Sequence, residues 1–158
     1  MTASIPLISN ITHYMNLQNT KFLIKLTPFK DELLSSWLAR IARAHHTLAT
    51  SFTNMHFKDM YAKNIIWQRD LDIWAPEQLI EELSYKSNIL HETLFNCTIK
   101  SYSGALVENI TGKTKTPFVQ SLGNYCHIKR NGGLRFCPHC LNEDKEPYFR
   151  KYWRLSFY

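Results

Sequence analysis

The sequence of 158 residues has no apolar run approaching the ~18 residues of a membrane helix, and Lys25 already breaks the stretch FLIKL. Its first twenty residues contain neither Lys nor Arg, and Pro6 and Asn10 interrupt their apolar content. No secretory signal is therefore read there. Four cysteines are too few for a disulfide-built miniature fold, so a cytoplasmic chain with reduced thiols is expected. Five glycines and six prolines exclude a collagen or a low-complexity linker. No G-x-x-x-x-G-K phosphate loop occurs. What is present is a hydrophobic content of 44% with 13% aromatics, enough to bury a core. The length allows one domain, or two small parts sharing a core.

Charge is unevenly spread. Residues 1–110 carry ten basic and ten acidic side chains, whereas 111–158 carry nine basic and three acidic, so the whole net charge of +6 lies in the last 48 residues. A one-ended basic excess is the footprint expected for a polyanion such as DNA, and equally of a solvated surface rich in Lys and Arg. The candidate phosphate contacts are Lys129, Arg130, Arg135, Arg150, Lys151 and Arg154.

Residues 1–20 show no periodicity and read as a loosely held lead-in. Phe22, Ile24 and Leu26 alternate with Leu23 and Lys25, predicting a short strand or extended arm. In DELLSSWLARIARAHH, Leu34, Trp37, Leu38, Ile41 and Ala42 fall on one helical face. Asp31 and Glu32 are expected in its first turn and Arg40 and Arg43 in later turns, matching the helix dipole. A second helix from Thr47, carrying Leu48, Phe52, Met55 and His56, would give a helix-turn-helix-like pair or an ordinary helical hairpin. Ala75-Pro76-Glu77 opens a further helix, with Pro at its first position and Leu79, Ile80 and Leu83 inward. Ser87 and Asn88 offer a cap for another through Leu90, Leu94 and Phe95. Beyond Ser101 the pattern fades and glycines punctuate it. The fold class expected is mainly α: a helical part at 21–100, then a basic irregular part at 101–158.

Cys137-Pro138-His139-Cys140 is the most informative chemical feature. Two cysteines with two residues between them point both thiolates at one tetrahedral centre, which is half of a zinc site. His139 is expected to point outward. Cys126 and His127 have the right donor types, but neighbouring residues chelate one metal poorly. The same four residues occur at the active site of thioredoxin-fold thiol oxidants, yet helices rather than βαβ units precede them and only 18 residues follow. A metalloprotease reading fails because the second His of HExxH would fall at Phe95, and a deaminase reading fails for want of H-x-E. No catalytic constellation is read, and no enzyme activity is expected.

Taken together, the residues from Pro28 to Tyr158 resemble the TniQ family, which includes TnsD-type target-selection proteins of bacterial transposons. The resemblance rests on DELLSSWLARIARAH (31–45), IIWQRDLDIWAPEQLIEEL (65–83), the turn at Tyr102–Gly104, and above all GLRFCPHCLNEDKEPYFRKYWRL (133–155). It implies a helix-turn-helix-like part and a structural zinc finger with Cys137 and Cys140 as two of four ligands. It also implies a second Cys-x-x-His pair shortly after WRL. The sequence stops at Tyr158 before such a pair, so the chain reads as C-terminally truncated, with an incomplete site and low zinc occupancy expected. The implied role is non-catalytic: binding target DNA and recruiting an AAA+ ATPase and a transposase, either directly or through an RNA-guided complex. A helix-turn-helix or zinc-finger transcription regulator is the competing expectation. Trp37, Trp67, Trp74 and Trp153 are expected as core anchors, with Tyr148, Phe149, Tyr152 and Trp153 packing the finger onto the helices. Arg150, Lys151 and Arg154 would then face solvent or phosphate, while Asp70 and Asp72 would cap or pair.

Overall fold

A computed structural model describes residues 20–61, 65–110, 117–120 and 134–157. Helices dominate: α1 (Leu34–Ala44), α2 (Ala49–Phe57), α3 (Ile65–Gln68), α4 (Leu71–Trp74), α5 (Glu77–Ser87), α6 (His91–Phe95) and α7 (Pro138–Glu143), with 3-10 turns at Ile99–Tyr102 and Lys151–Arg154. Among the described residues there is no sheet, only isolated bridges such as Glu32–Arg150 and Val119–Leu155. The mainly helical class is as expected.

Helix α1 buries Leu34, Trp37, Leu38, Ile41 and Ala42, the five apolar positions at helical spacing. Its start differs from expectation. Asp31 and Glu32 precede the first turn, because Asp31 turns the chain at φ 58 and Leu33 is extended. The first N–H groups of α1 are satisfied from far along the chain instead. Leu33 N donates to Phe149 O, Leu34 N to Cys97 O, and Ser35 N to Asp72 Oδ1 at 2.8 Å. A remote carboxylate thus takes the place of a local cap at the positive helix end. At the other end His46 adopts φ 55, and His46 N and Thr47 N donate to the carbonyls of Arg43 and Ala42. This is a Schellman ending, with His where Gly is commoner.

The turn at 45–48 leads to α2, which buries Phe52, Thr53, His56 and Phe57. Pro76 precedes α5 rather than opening it, and its carbonyl accepts from Leu79 N and Ile80 N. Asn88, expected to cap the next helix, instead ends α5 at φ 60 with its N–H on Ser84 O. Helix α6 begins two residues later than that cap would place it. Residues 20–30 form an extended arm laid over these helices, without a strand partner among the described residues. Phe22 N donates to Lys86 O, and Trp37 Nε1 donates to Leu26 O at 2.7 Å. Phe22 is buried beside Phe52 and His56, whereas Leu23 points out at 91% exposure.

Two apolar clusters result. The larger joins α1, α2, α5 and the arm around Trp37, Phe52, Leu79 and Leu83. The smaller gathers Leu33, Ile73, Ile99 and Ile110 with Leu134 and Phe149, so residues from both sides of position 100 share it.

Candidate functional site

The sequence from Leu134 to Leu155 first exposes, then buries, its polar side chains. Pro138 opens α7, where its missing N–H is no loss, and Cys137 stands at the N-cap. Cys140 N donates to Cys137 Sγ at 3.4 Å, a normal length for sulfur. The Cys140 N–H holds the Cys137 thiol below its ordinary range, and the neighbouring Cys137 side chain pushes the Cys140 thiol above it. Arg150 adds positive charge that favours both thiolates. Both cysteines are half-exposed and line a cleft of about 370 Å³ with Arg135, Phe136, Tyr152 and Trp153. His139 lies outside the pair, as expected: its side chain is 79% exposed and its Nε2 is 3.3 Å from Glu143.

The donor set fits half of a zinc site. Two sulfurs of the right type converge across one turn, and the N–H to sulfur bond is what such a turn provides. Among the described residues no third His, Cys, Asp or Glu joins them. Cys126 and His127 lie outside the described residues. Cys97 plays no part here: it is buried, its thiol donates to Thr93 O, and burial pushes that thiol up to about 12.

The basic candidates divide. Lys129 and Arg130 lie outside the described residues, and Arg135 is exposed at the cleft. Arg150, Lys151 and Arg154 do not form an outward basic face, and here the expectation is corrected. Arg154 has no exposed surface. Its Nη1 lies 3.1 Å from Asp70 Oδ1 and 3.3 Å from Asp72 Oδ2, its Nη2 also pairs with Asp70, and its Nε and Nη2 donate to Gln120 O. Lys151 is buried, its ammonium on Ser101 Oγ at 3.1 Å and over the Tyr102 ring, and burial lowers its pKa. Arg150 donates to Asp144 Oδ1 at 2.7 Å while its guanidinium covers the rings of Tyr148 and Trp153. The cause is the 3-10 turn at 151–154, in which residues three apart eclipse, so Lys151 and Arg154 share one inward direction.

Sequence reading missed a second buried network. Glu32 and Arg40 pair at 2.6 Å inside the protein, and Glu146 links Arg40 to Arg43 at 2.9 Å each. Burial raises the Glu32 carboxyl despite that partner. One signal was available: Ser36 and Arg40 follow Glu32 at four-residue steps and continue the apolar face of α1. Asp70 and Asp72 pair, as expected. The aromatic readings also hold: Trp37 and Trp153 are buried, Tyr148 packs on Phe29 at 4.8 Å, and Phe149 joins the smaller core. Trp67 and Trp74 are half-buried.

With this geometry in place, comparison with protein families gives a definite result. The TniQ family profile matches residues 23–158. The chain belongs to the TniQ family. That family has a non-catalytic adaptor role in transposition, associated with target selection. The match spans the arm, the helices and the cysteine-bearing segment alike. Neither a curated protein nor a solved structure matches the chain. Among the described residues no helix is long and apolar enough to cross a membrane.

Proposed function

We propose that the chain is a DNA-binding adaptor that selects the target site in transposition and recruits the transposition machinery. The observation that carries this reading is the TniQ match over 23–158, joined to a basic excess confined to residues 111–158. The phosphate contacts assigned to it are Arg135 together with Lys129 and Arg130. Arg150, Lys151 and Arg154 support the scaffold from inside. Helix α2 is the candidate base reader, since Thr50 and Ser51 are exposed and Lys58 follows its last turn. The partners are an AAA+ ATPase and a transposase, or an RNA-guided targeting complex that delivers the site. Cys137 and Cys140 would hold zinc as thiolates. The zinc would lock the turn at the start of α7 and supply no reaction step.

The test is duplex binding followed by anisotropy across a salt series. Phosphate contacts release counterions, so affinity should fall steeply with salt. Charge reversal at Lys129, Arg130 and Arg135 should weaken binding to all sequences, whereas changes at Thr50 and Ser51 should alter sequence preference. Salt-independent binding, or none by a folded chain, would remove DNA from this reading and leave a protein adaptor.

A further inference from the structure

We propose that Cys137 and Cys140 form a reversible dithiol–disulfide couple that exchanges with small disulfides of the glutathione type. Cys137 Sγ accepts from the N–H of Cys140 at 3.4 Å, and both side chains line the same cleft. Closing the bond joins ends of a single helical turn, so no remote part of the fold has to move. Both residues are half-exposed on the cleft, which gives a disulfide reagent access. Arg135 is exposed at the same cleft, a positive setting for an anionic peptide disulfide. Among the described residues no third metal-donor side chain competes for the sulfurs. Cys97, buried and bonded to Thr93 O, is the built-in contrast: it has the same chemistry without access.

The exchange balances as two thiol–disulfide steps. One cysteine sulfur attacks a sulfur of oxidised glutathione and expels one glutathione thiolate, leaving a mixed disulfide on the chain. The second cysteine then attacks the first and expels the other glutathione. Two protein thiols are oxidised, one glutathione disulfide is reduced to two thiols, and the cysteine protons pass through water to the leaving thiolates. Oxidation takes away both thiolate donors, so the disulfide and a bound zinc exclude each other. That last consequence alone rests on the metal reading under Proposed function.

The experiment uses the full chain, treated with chelator and equilibrated over a range of reduced-to-oxidised glutathione ratios, then trapped with a maleimide and mapped by mass. The expected product has lost about two hydrogens, carries a Cys137–Cys140 link, and reverts with dithiothreitol. Cys97 should stay a thiol that the maleimide reaches only after unfolding. Cys137→Ser and Cys140→Ser should each abolish the link and accumulate a mixed disulfide with glutathione on the remaining partner. Two thiols still open to maleimide at ratios that oxidise an unfolded peptide of residues 134–143 would overturn the proposal, as would a link running to Cys126. A separate arm adds zinc before glutathione. Protection of tenfold or more supports the metal reading, and link formation at an unchanged rate removes that reading while leaving the couple standing.

Discussion

Residues 134–143 and 148–155 are near neighbours in sequence, and they treat their polar side chains in opposite ways. In the first stretch Arg135, Cys137, His139 and Cys140 remain at or near the surface, with sulfur contacts confined to one helical turn. In the second, Lys151 and Arg154 are buried and Arg150 nearly so, each held by a partner more than five residues away. The difference is one of local period. Helix α7 is short and buries nothing, whereas the 3-10 turn aims Lys151 at the turn at Ile99–Tyr102 and Arg154 at the start of α4. Basic residues in one segment therefore stand in two settings. The inner ones bolt the C-terminal segment to the helical part, and Arg135, at the surface, is the outer one to which the proposed DNA contact is assigned.

The largest test of this contrast is Arg154→Met. The substitution keeps much of the side chain's volume but leaves Asp72, fully buried, without its guanidinium. Breaking a buried pair from one side costs about 3–5 kcal/mol, because the remaining charge has lost its solvation. Urea unfolding should show that loss as a lower midpoint with the slope unchanged. A loss under about 1 kcal/mol, the range of exposed pairs, would place Arg154 back among the outward basics.

Acid provides the second test, and it sets the arm and α2 against the C-terminal junction. Burial lowers the His56 imidazole to about 4, with repulsion from Lys86 and His45 adding to it. Its folded pKa lies below the unfolded value, so its contribution is complete above about 6.5 and fades as pH falls towards 4. Asp72 runs the other way. Burial raises its carboxyl to about 6, against the pull of Arg154, so its contribution is complete below the ordinary carboxyl value and fades as pH rises through 6. The two partly cancel in the native chain. His56→Leu removes one of them, and the stability gap between the native chain and this variant should shrink by roughly 2–3 kcal/mol between pH 7 and 4.5. A gap that does not change with pH would show that His56 is protonated within the folded protein.

Much of the helical part was legible because its apolar spacing is unambiguous. Leu34, Trp37, Leu38, Ile41 and Ala42 announce α1, and Leu79, Ile80 and Leu83 announce α5. What could not be read was where charge goes. Asp31 and Glu32 look like dipole partners of α1, but a left-handed turn at Asp31 places Glu32 in the core beside Arg40. Lys151 and Arg154 look like solvent-facing residues between aromatics, and only a threefold period turns them inward. Their partners, Asp70, Asp72 and Ser101, are about 50 or more residues away, and no local pattern announces such pairs. The cysteine pair was legible for the opposite reason: its geometry is complete within four residues.

A smaller effect is expected at the rim of the buried network. Glu146 bridges Arg40 and Arg43, and the hydrogen bond from Arg40 holds its carboxyl below the usual range. Its side chain is one-third exposed, so water and salt screen the pair. Glu146→Gln leaves Arg40 with Glu32 and Arg43 with solvent. The loss should be about 0.5–1 kcal/mol and should shrink further in high salt. A loss as large as that of Arg154→Met would join Glu146 to the inner set.

The smallest effect on stability belongs to Arg135→Glu, and that smallness is what makes it decisive. Arg135 is exposed and lies in the stretch whose helix buries nothing, so the change should leave unfolding within about 0.5 kcal/mol of the native chain. If outward basics serve DNA, the same substitution must act on binding. A phosphate contact contributes regardless of sequence, so affinity should drop for every duplex alike and the salt slope should flatten by about one contact. Arg154→Met should show the reverse pattern, a large loss of stability with the salt slope of the remaining folded protein unchanged. If instead Arg135→Glu kept the native slope while lowering the unfolding midpoint, the division between inner and outer basic residues would fail at its outer member. The proposed polyanion contact would then rest on Lys129 and Arg130 alone.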